Sequence, residues 1–332
     1  MVTGLLKFDS LPSIAATGVV VGPLEKKSPF IELFDKVYED ERIGLPTNEQ
    51  GHAKLIEDAC LIALSKVDTV PSSADFLLIG DLVNQMTPSN FCASSLQIPY
   101  LGMFSACATS VSSLLTAALL TESGMSKCSI AGAGSQHNAV ERQFRYPVEY
   151  GSQTPATAQW TVTAAGVAAV TRHKKDFPAI VSGTIGRVVD LGMTDPFNMG
   201  AAMAPAAADT LQRHLKGHGR KISYYDAIIT GDLGKVGFEI YRKLIDEEKL
   251  GTSTNFRDAG AEFYGGDPDF QSGASGTGCS AAVYFSEVFT KMMAGEYNRV
   301  LLIATGSLLS PLSFQQGDTI PCIAHAVELT MR

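Results

Sequence analysis

Cys107 concentrates the candidate chemistry of this chain. It follows an apolar run, residues 98–104, by way of a turn of small residues, and precedes an apolar helix-like pattern that reaches Leu120. The pattern predicts a strand ending at Phe104 and an amphipathic helix opening at or near Cys107. A thiol in that position meets unpaired backbone N–H groups and the positive end of the helix dipole. Such a thiol tends toward a lowered pKa and serves as a nucleophile or an anion contact. The competing reading is a small residue packed at a helix start, because free cysteine is commonly just buried. The partners that the chain supplies decide between the two.

The other five cysteines (Cys60, Cys92, Cys128, Cys279 and Cys322) are scattered singly, and no CxxC pair exists, which excludes zinc-binding and thioredoxin-like readings. Cys60 and Cys128 fall among apolar residues, as inert core thiols do. The 332 residues are 45% hydrophobic and 18% charged, an ordinary globular balance with ample core for one large or two fused domains. A net charge of −8 argues against a nucleic-acid partner, and the densest basic clusters, 142–145 and 213–221, are sparse. No basic stretch followed by an apolar one opens the chain, and no apolar run approaches the roughly 18–20 residues of a membrane span. The expectation is a protein made in the cytoplasm that stays soluble or sits on a membrane only through partners. No motif asks for a cofactor or a metal.

The elements that must position Cys107 alternate along the chain. Strand-like runs cover 14–21, 76–79, 100–104, 128–133, 159–170, 179–189, 227–230, 300–305 and 320–329. Helix-like runs cover 50–66, 107–120, 201–215, 236–248 and 280–294. Many strands end in Gly or Asp, as βα turns do, so the class is α/β with a largely buried sheet. No long polar linker divides the chain, which predicts one compact body over 1–332. The longer connections, 135–157 and 252–275, are candidate functional loops.

A weak internal repeat organises these elements into halves of approximately 1–175 and 176–332. Residues 79–82 (IGDL) end one strand and 230–233 (TGDL) end another. Residues 107–135 lie without gaps on 279–307, each beginning with Cys, running through an apolar helix and ending in a strand that closes Gly-Ser. Two such halves would meet face to face and bury both helices centrally, and ligand sites form at such junctions.

A duplicated α/β unit with a Cys opening a central helix resembles the thiolase superfamily, the fold of thiolases and ketoacyl synthases. That resemblance implies a five-layer αβαβα sandwich built from two similar halves. Residues 80–85 (GDLVNQ), 135–151 (SQHNAVERQFRYPVEYG), 203–210 (MAPAAADT), 304–311 (ATGSLLSP) and 320–327 (IPCIAHAV) resemble the stage V sporulation protein AD family, in family order and over essentially the whole chain. Membership implies a protein of spore-forming bacteria that binds dipicolinic acid (pyridine-2,6-dicarboxylate, as the free acid or its calcium chelate). It implies a role in moving that ligand into the developing spore, at the forespore inner membrane and alongside membrane proteins of the same transport complex. Members of the superfamily usually pair through the edge strand before the nucleophile, here near 100–104, so a homodimer is expected.

Catalysis of the thiolase or ketoacyl-synthase type needs a base for the thiol and a second His or Asn for the oxyanion. In ketoacyl synthases one His follows the strand equivalent to 227–230, where this chain reads TGDLGK over 230–235. In thiolases a His-Pro pair precedes Gly-Ala-Ser-Gly. Here GASG is present at 273–276, but Phe270 and Gln271 stand where His and Pro would fall. Cys322, in 322–324 (CIA), partly matches the second thiolase cysteine. Asp232, His325 and His137 remain as candidate partners, and His325 reads equally well as a core histidine of the last strand. The expectation is a condensing-enzyme fold that kept its pocket and lost its chemistry, the alternative being an acyltransferase or condensing enzyme that uses Cys107.

Dipicolinate near neutral pH is a flat dianion that requires donors for four oxygens and an apolar slot for its ring. Arg142 and Arg145 could each clasp a carboxylate with two parallel hydrogen bonds, or pair with Glu141 or Glu149 on the surface. Backbone N–H groups at the Cys107 helix start and around Gly276 and Gly278 are independent donors. Ser135, His137 and Asn138 follow the strand 128–133, where a pocket would open. The expected ligand set is therefore Cys107, Ser135, His137, Asn138, Arg142, Arg145, Asp232, Gly276, Gly278 and His325.

Overall fold

The computed structural model describes residues 2–144, 155–251 and 255–332. The first half runs β1 (Leu5–Lys7), β2 (Ser13–Val21), β3 (Lys36–Val37), α1 (Asn48–Ser65), β4 (Phe76–Gly80), α2 (Thr87–Leu96) and β5 (Tyr100–Gly102). It continues through α3 (Thr109–Glu122), β6 (Cys128–Ser135), α4 (His137–Phe144), β7 (Trp160–Thr161) and β8 (Ala164–Thr171). The second half runs β9 (Ala179–Thr184), α5 (Met199–His218), β10 (Ala227–Thr230), α6 (Gly234–Glu247), β11 (Phe256–Asp258), α7 (Ala259–Glu262) and β12 (Ala274–Ser275). It ends with α8 (Thr277–Val283), α9 (Phe289–Met293), β13 (Arg299–Ser307), α10 (Pro311–Gln315) and β14 (Cys322–Thr330). A π-helical turn, Tyr284–Val288, joins α8 to α9 into one continuous rod.

The principal strands line up as β11-β10-β13-β14-β9-β2-β8-β6-β4-β5. The order is one five-strand pattern written twice. In each half an edge strand (β5 or β11) pairs parallel to β4 or β10, which pairs parallel to β6 or β13. A hairpin-like return, β8 or β14, then runs antiparallel to its neighbours on both sides. Among the described residues the two five-strand units touch edge to edge through a single pair, Ser13 with Ala179.

Hydrophobicity decides the layers. Every residue of β2 is buried, and so is every residue of β8 but the last, as strands covered on both faces must be. Helix α3 is buried around most of its circumference, as is α8, and both lie between the two sheets, where the hydroxyls of Ser110 and Ser280 meet at 2.7 Å. Four other hydroxyls of α3 bond back to their own helix: Ser112 and Ser113 to Thr109 O, Thr116 to Ser112 O, Thr121 to Ala117 O. Helices α1 and α2 cover the outer face of the first sheet, and α5 and α6 that of the second. The result is the αβαβα sandwich expected, with the two repeat helices central.

Three details differ from the sequence reading. The run 159–170 is two strands, because β7 leaves the main sheet to pair with β12, at Trp160–Ala274 and Thr161–Ser275. Helices α2 and α4 were not anticipated, and α4 occupies the start of the supposed loop 135–157. The second supposed loop carries β11, α7 and β12.

Candidate functional site

Ala106 has φ of 48°, in the left-handed region, and turns the chain sharply between β5 and α3. Cys107 sits on this elbow, two residues before the first residue of α3, so the helix opens slightly later than its pattern suggested. The elbow is tied by Ser105 N–H to Thr109 Oγ1 at 3.0 Å and by Ala108 N–H to Ser105 O at 3.0 Å. The end of β13 presses against it at Gly306, where a Cβ would lie 2.4 Å from Ser105 O, so only glycine fits that approach.

Behind Cys107 stands Asp232, fully buried in the turn after β10. Its carboxylate accepts from Thr305 Oγ1 at 2.8 Å and from Gly276 N–H at 3.1 Å, and the Cys107 thiol lies beside it. One turn away, the fully buried carboxylate of Asp258 accepts from Leu233 N–H, Gly234 N–H, Ala261 N–H and Thr230 Oγ1 at 2.7–3.0 Å. These donors are all neutral. Burial, with the nearby Asp258 charge, pushes Asp232 up to about 7, and burial takes Asp258 to about 6.

The thiol responds in the direction opposite to the one expected from its place before a helix. Burial and the Asp232 carboxylate raise Cys107 well above the ordinary cysteine range, against weaker pulls from the N–H groups of Gly276 and of Cys107 itself. The magnitudes make this unsurprising. A helix terminus contributes about 0.3–1 kcal/mol to a charge, whereas each unit of pKa shift is about 1.4 kcal/mol.

Above the thiol lies a cavity of about 40 Å³. Leu82, Val140, Phe144, Met199 and Leu309 form its apolar wall, and Cys107, Glu141, Thr161, Ser275, Gly276 and Ser307 its polar wall. Thr161 donates to Glu141 at 2.7 Å, and the buried Ser307 Oγ has the Cys322 thiol as its polar neighbour among the described residues. No arginine or lysine lines the cavity among the described residues.

Of the expected ligand set, Cys107 and Gly276 line this cavity and Asp232 backs it. The others are placed differently. Ser135 donates to Val162 O at 2.8 Å and accepts from Gly278 N–H at 3.1 Å, so each satisfies the other inside the fold. His137 bonds Thr161 O at 3.0 Å and stacks on Trp160 at 4.0 Å, behind the β7 wall rather than in the cavity. Asn138 is exposed on α4. Arg142 is paired with Glu49 of α1, which fixes its guanidinium on the α1 side. Arg145 lies outside the described residues. His325 accepts from Gly186 N–H at 3.1 Å through Nδ1 and reaches Ser105 Oγ at 3.3 Å through Nε2, and burial lowers its pKa to about 4. It is the satisfied core histidine of the alternative reading. Phe270 is buried, stacked on Tyr264 at 3.6 Å.

Sequence reasoning missed Thr305, Asp258, Glu141 and Ser307. The repeat held a signal for Ser307, which falls on Ser135 in the ungapped match.

The fold is that of the thiolase-like condensing enzymes, and solved structures agree. Matching chains include 3-oxoacyl-[acyl-carrier-protein] synthase III from Aquifex aeolicus VF5, with TM-score 0.59 and 15% identity over 96% of this chain and 99% of that one. Cerulenin-bound OleA of Xanthomonas campestris matches with TM-score 0.60 and 13% identity over 98% and 97%. At these identities the likeness is one of fold. Sequence goes further: the family model for stage V sporulation protein AD matches residues 3–330. Stage V sporulation protein AD of Bacillus subtilis (strain 168) is 43% identical over 314 residues, 95% of this chain and 93% of that protein. The chain belongs to the stage V sporulation protein AD family, and is a sporulation protein on a thiolase-like fold.

Proposed function

We propose that this protein binds dipicolinic acid, free or as its calcium chelate, in the cavity above Cys107 without chemical turnover, and serves its uptake into the developing spore. The observation that carries the reading is the pairing of Cys107 with buried Asp232. A thiol facing an anion in a pocket with no arginine or lysine among the described residues stays protonated and adds a polarisable wall and one weak donor rather than a nucleophile. The apolar wall suits a flat ring, and Ser307 Oγ offers a hydroxyl donor at the polar wall. A cavity of about 40 Å³ holds a few waters, so the ring enters by displacing the part-exposed side chains of Phe144, Met199 and Leu309. Among the described residues no helix is long and apolar enough to cross a membrane. Placement at the forespore inner membrane therefore falls to membrane proteins of the same transport complex.

A second reading, an acyltransferase or condensing enzyme, draws on Asp232 titrating near neutrality and so being able to accept a proton at pH 7. Moving the Cys107 proton to Asp232 is uphill, because burial and the Asp232 charge hold the thiol well above the ordinary cysteine range while the carboxyl titrates at about 7. Calorimetry with dipicolinate and with its calcium chelate, set beside incubation with acetyl-CoA, separates the two readings. Saturable binding of either pyridine ligand without acylation of Cys107 supports the binding role. Acylation of Cys107 followed by turnover, with no dipicolinate heat, replaces it with the enzyme.

A further inference from the structure

The cavity presents carboxylates to a ligand that is itself anionic. Glu141 stands in its wall, and Asp232 lies one side chain behind, touching both Cys107 and Gly276. We infer that filling this cavity with dipicolinate is coupled to the uptake of one proton by Asp232. The inference rests on the dipicolinate reading above and adds the charge balance that reading requires.

Among the described residues, the groups that hold Asp232 bring no positive charge. Thr305 reaches it from β13, Gly276 from the turn before α8, and Cys107 from the elbow. The titratable groups around it are Asp258 at the end of β11, Cys279 on α8, Tyr284 on the π-helical turn and Cys322 on β14. All of these are neutral or acidic near pH 7. An anion resting on Cys107 and Gly276 therefore adds a second negative charge within about one side chain of the Asp232 carboxylate, where solvent screening is weak.

Protonation of Asp232 removes that repulsion at the least cost, because burial already holds this carboxyl near half-protonation at neutral pH. Asp258 is less ready to accept the proton, with four donors committed to its two oxygens. The balance is simple: protein, dipicolinate dianion and one solvent proton give the complex, with no covalent bond made or broken.

The test is calorimetric titration of the full chain with metal-free dipicolinate between pH 6.5 and 9, in buffers of small and large ionisation enthalpy. Both dipicolinate carboxyls stay ionised in this range, so protons taken up belong to the protein. The expected result is uptake approaching one proton in wild type above pH 7, with affinity falling up to tenfold per pH unit. Asp232→Asn should bind without that uptake and with a flat pH profile. Dipicolinate binding with no proton uptake overturns this inference alone, as does unchanged uptake in Asp232→Asn. Absence of binding at every pH overturns the dipicolinate reading and the coupling together. A wild-type count of zero overturns the inference even if the variant fails to fold.

Discussion

At the scale of single residues, the pair Cys107–Asp232 governs the behaviour of the site. Both positions were visible in the sequence, Cys107 by its place before an apolar helix and Asp232 as a carboxylate in the turn after a strand. Their mutual burial was not visible, because it depends on β13 and the turn at Gly276 closing over two loops that lie 125 residues apart in the chain. That burial has a stability consequence. Asp232 is raised from 3.8 in the unfolded chain to about 7, so the native state holds a proton that the unfolded state releases between those values. Its contribution is fully present below about pH 4 and lost as pH rises through about 7. Asp232→Asn should therefore unfold at higher denaturant concentration than wild type at pH 8, by on the order of 2–4 kcal/mol, and show little difference at pH 4. Paired urea melts at the two pH values check this, and equal differences at both would contradict it.

At the scale of elements, helix α4 bears on the Arg142 part of the arginine expectation, Arg145 lying outside the described residues. The motif over 141–147 drew attention to Arg142 and Arg145 as carboxylate clamps. In the fold, α4 turns Glu141 toward the cavity while Arg142 pairs with Glu49 on α1. Arg142 is more than half exposed, and surface pairs of this kind contribute about 0–1 kcal/mol. Arg142→Ala should change dipicolinate affinity by less than about threefold, since a rim contact contributes little. A loss of a hundredfold in a binding isotherm would restore the clamp. The eight-residue α4 escaped notice because its sequence is short and mostly polar, too brief for a helical period to stand out. The broken run 159–170 escaped for another reason: β7 and β8 are both strand-like in composition, and only the pairing of β7 with β12 separates them. Helix α3, by contrast, was legible almost to its ends, because apolar and small residues fill its whole surface.

At the scale of the whole molecule, the internal repeat foretold the architecture better than any single motif. The ungapped match of 107–135 to 279–307 predicted two central helices each feeding a strand, and α3–β6 and α8–β13 are those units. It could not foretell that Cys279 would lie inside its helix while Cys107 sits ahead of one, which leaves a single elbow for a single site. The same symmetry leaves β5 on an open edge, where Leu101 is 47% and Phe104 57% exposed. An unpaired edge carrying exposed apolar side chains invites a second strand. Two copies are therefore expected to pair along β5, giving a dimer mass by light scattering at tens of micromolar. Leu101→Lys should yield the monomer with its melting temperature within a few degrees of wild type, whereas a wild-type monomer would remove the proposed pairing.

The central claim, that Cys107 is a protonated wall of a binding pocket and not a poised nucleophile, is tested most directly by the alkylation of Cys107 itself. Mass-resolved iodoacetamide labelling between pH 6 and 10, with and without dipicolinate, reads the thiolate fraction and the occupancy of the cavity together. The account predicts slow labelling of Cys107 that climbs with pH without levelling off below pH 9, and that dipicolinate slows further. Fast labelling that levels off near neutral pH and ignores dipicolinate would mean an ionised, accessible thiol outside any dipicolinate site, and would contradict it.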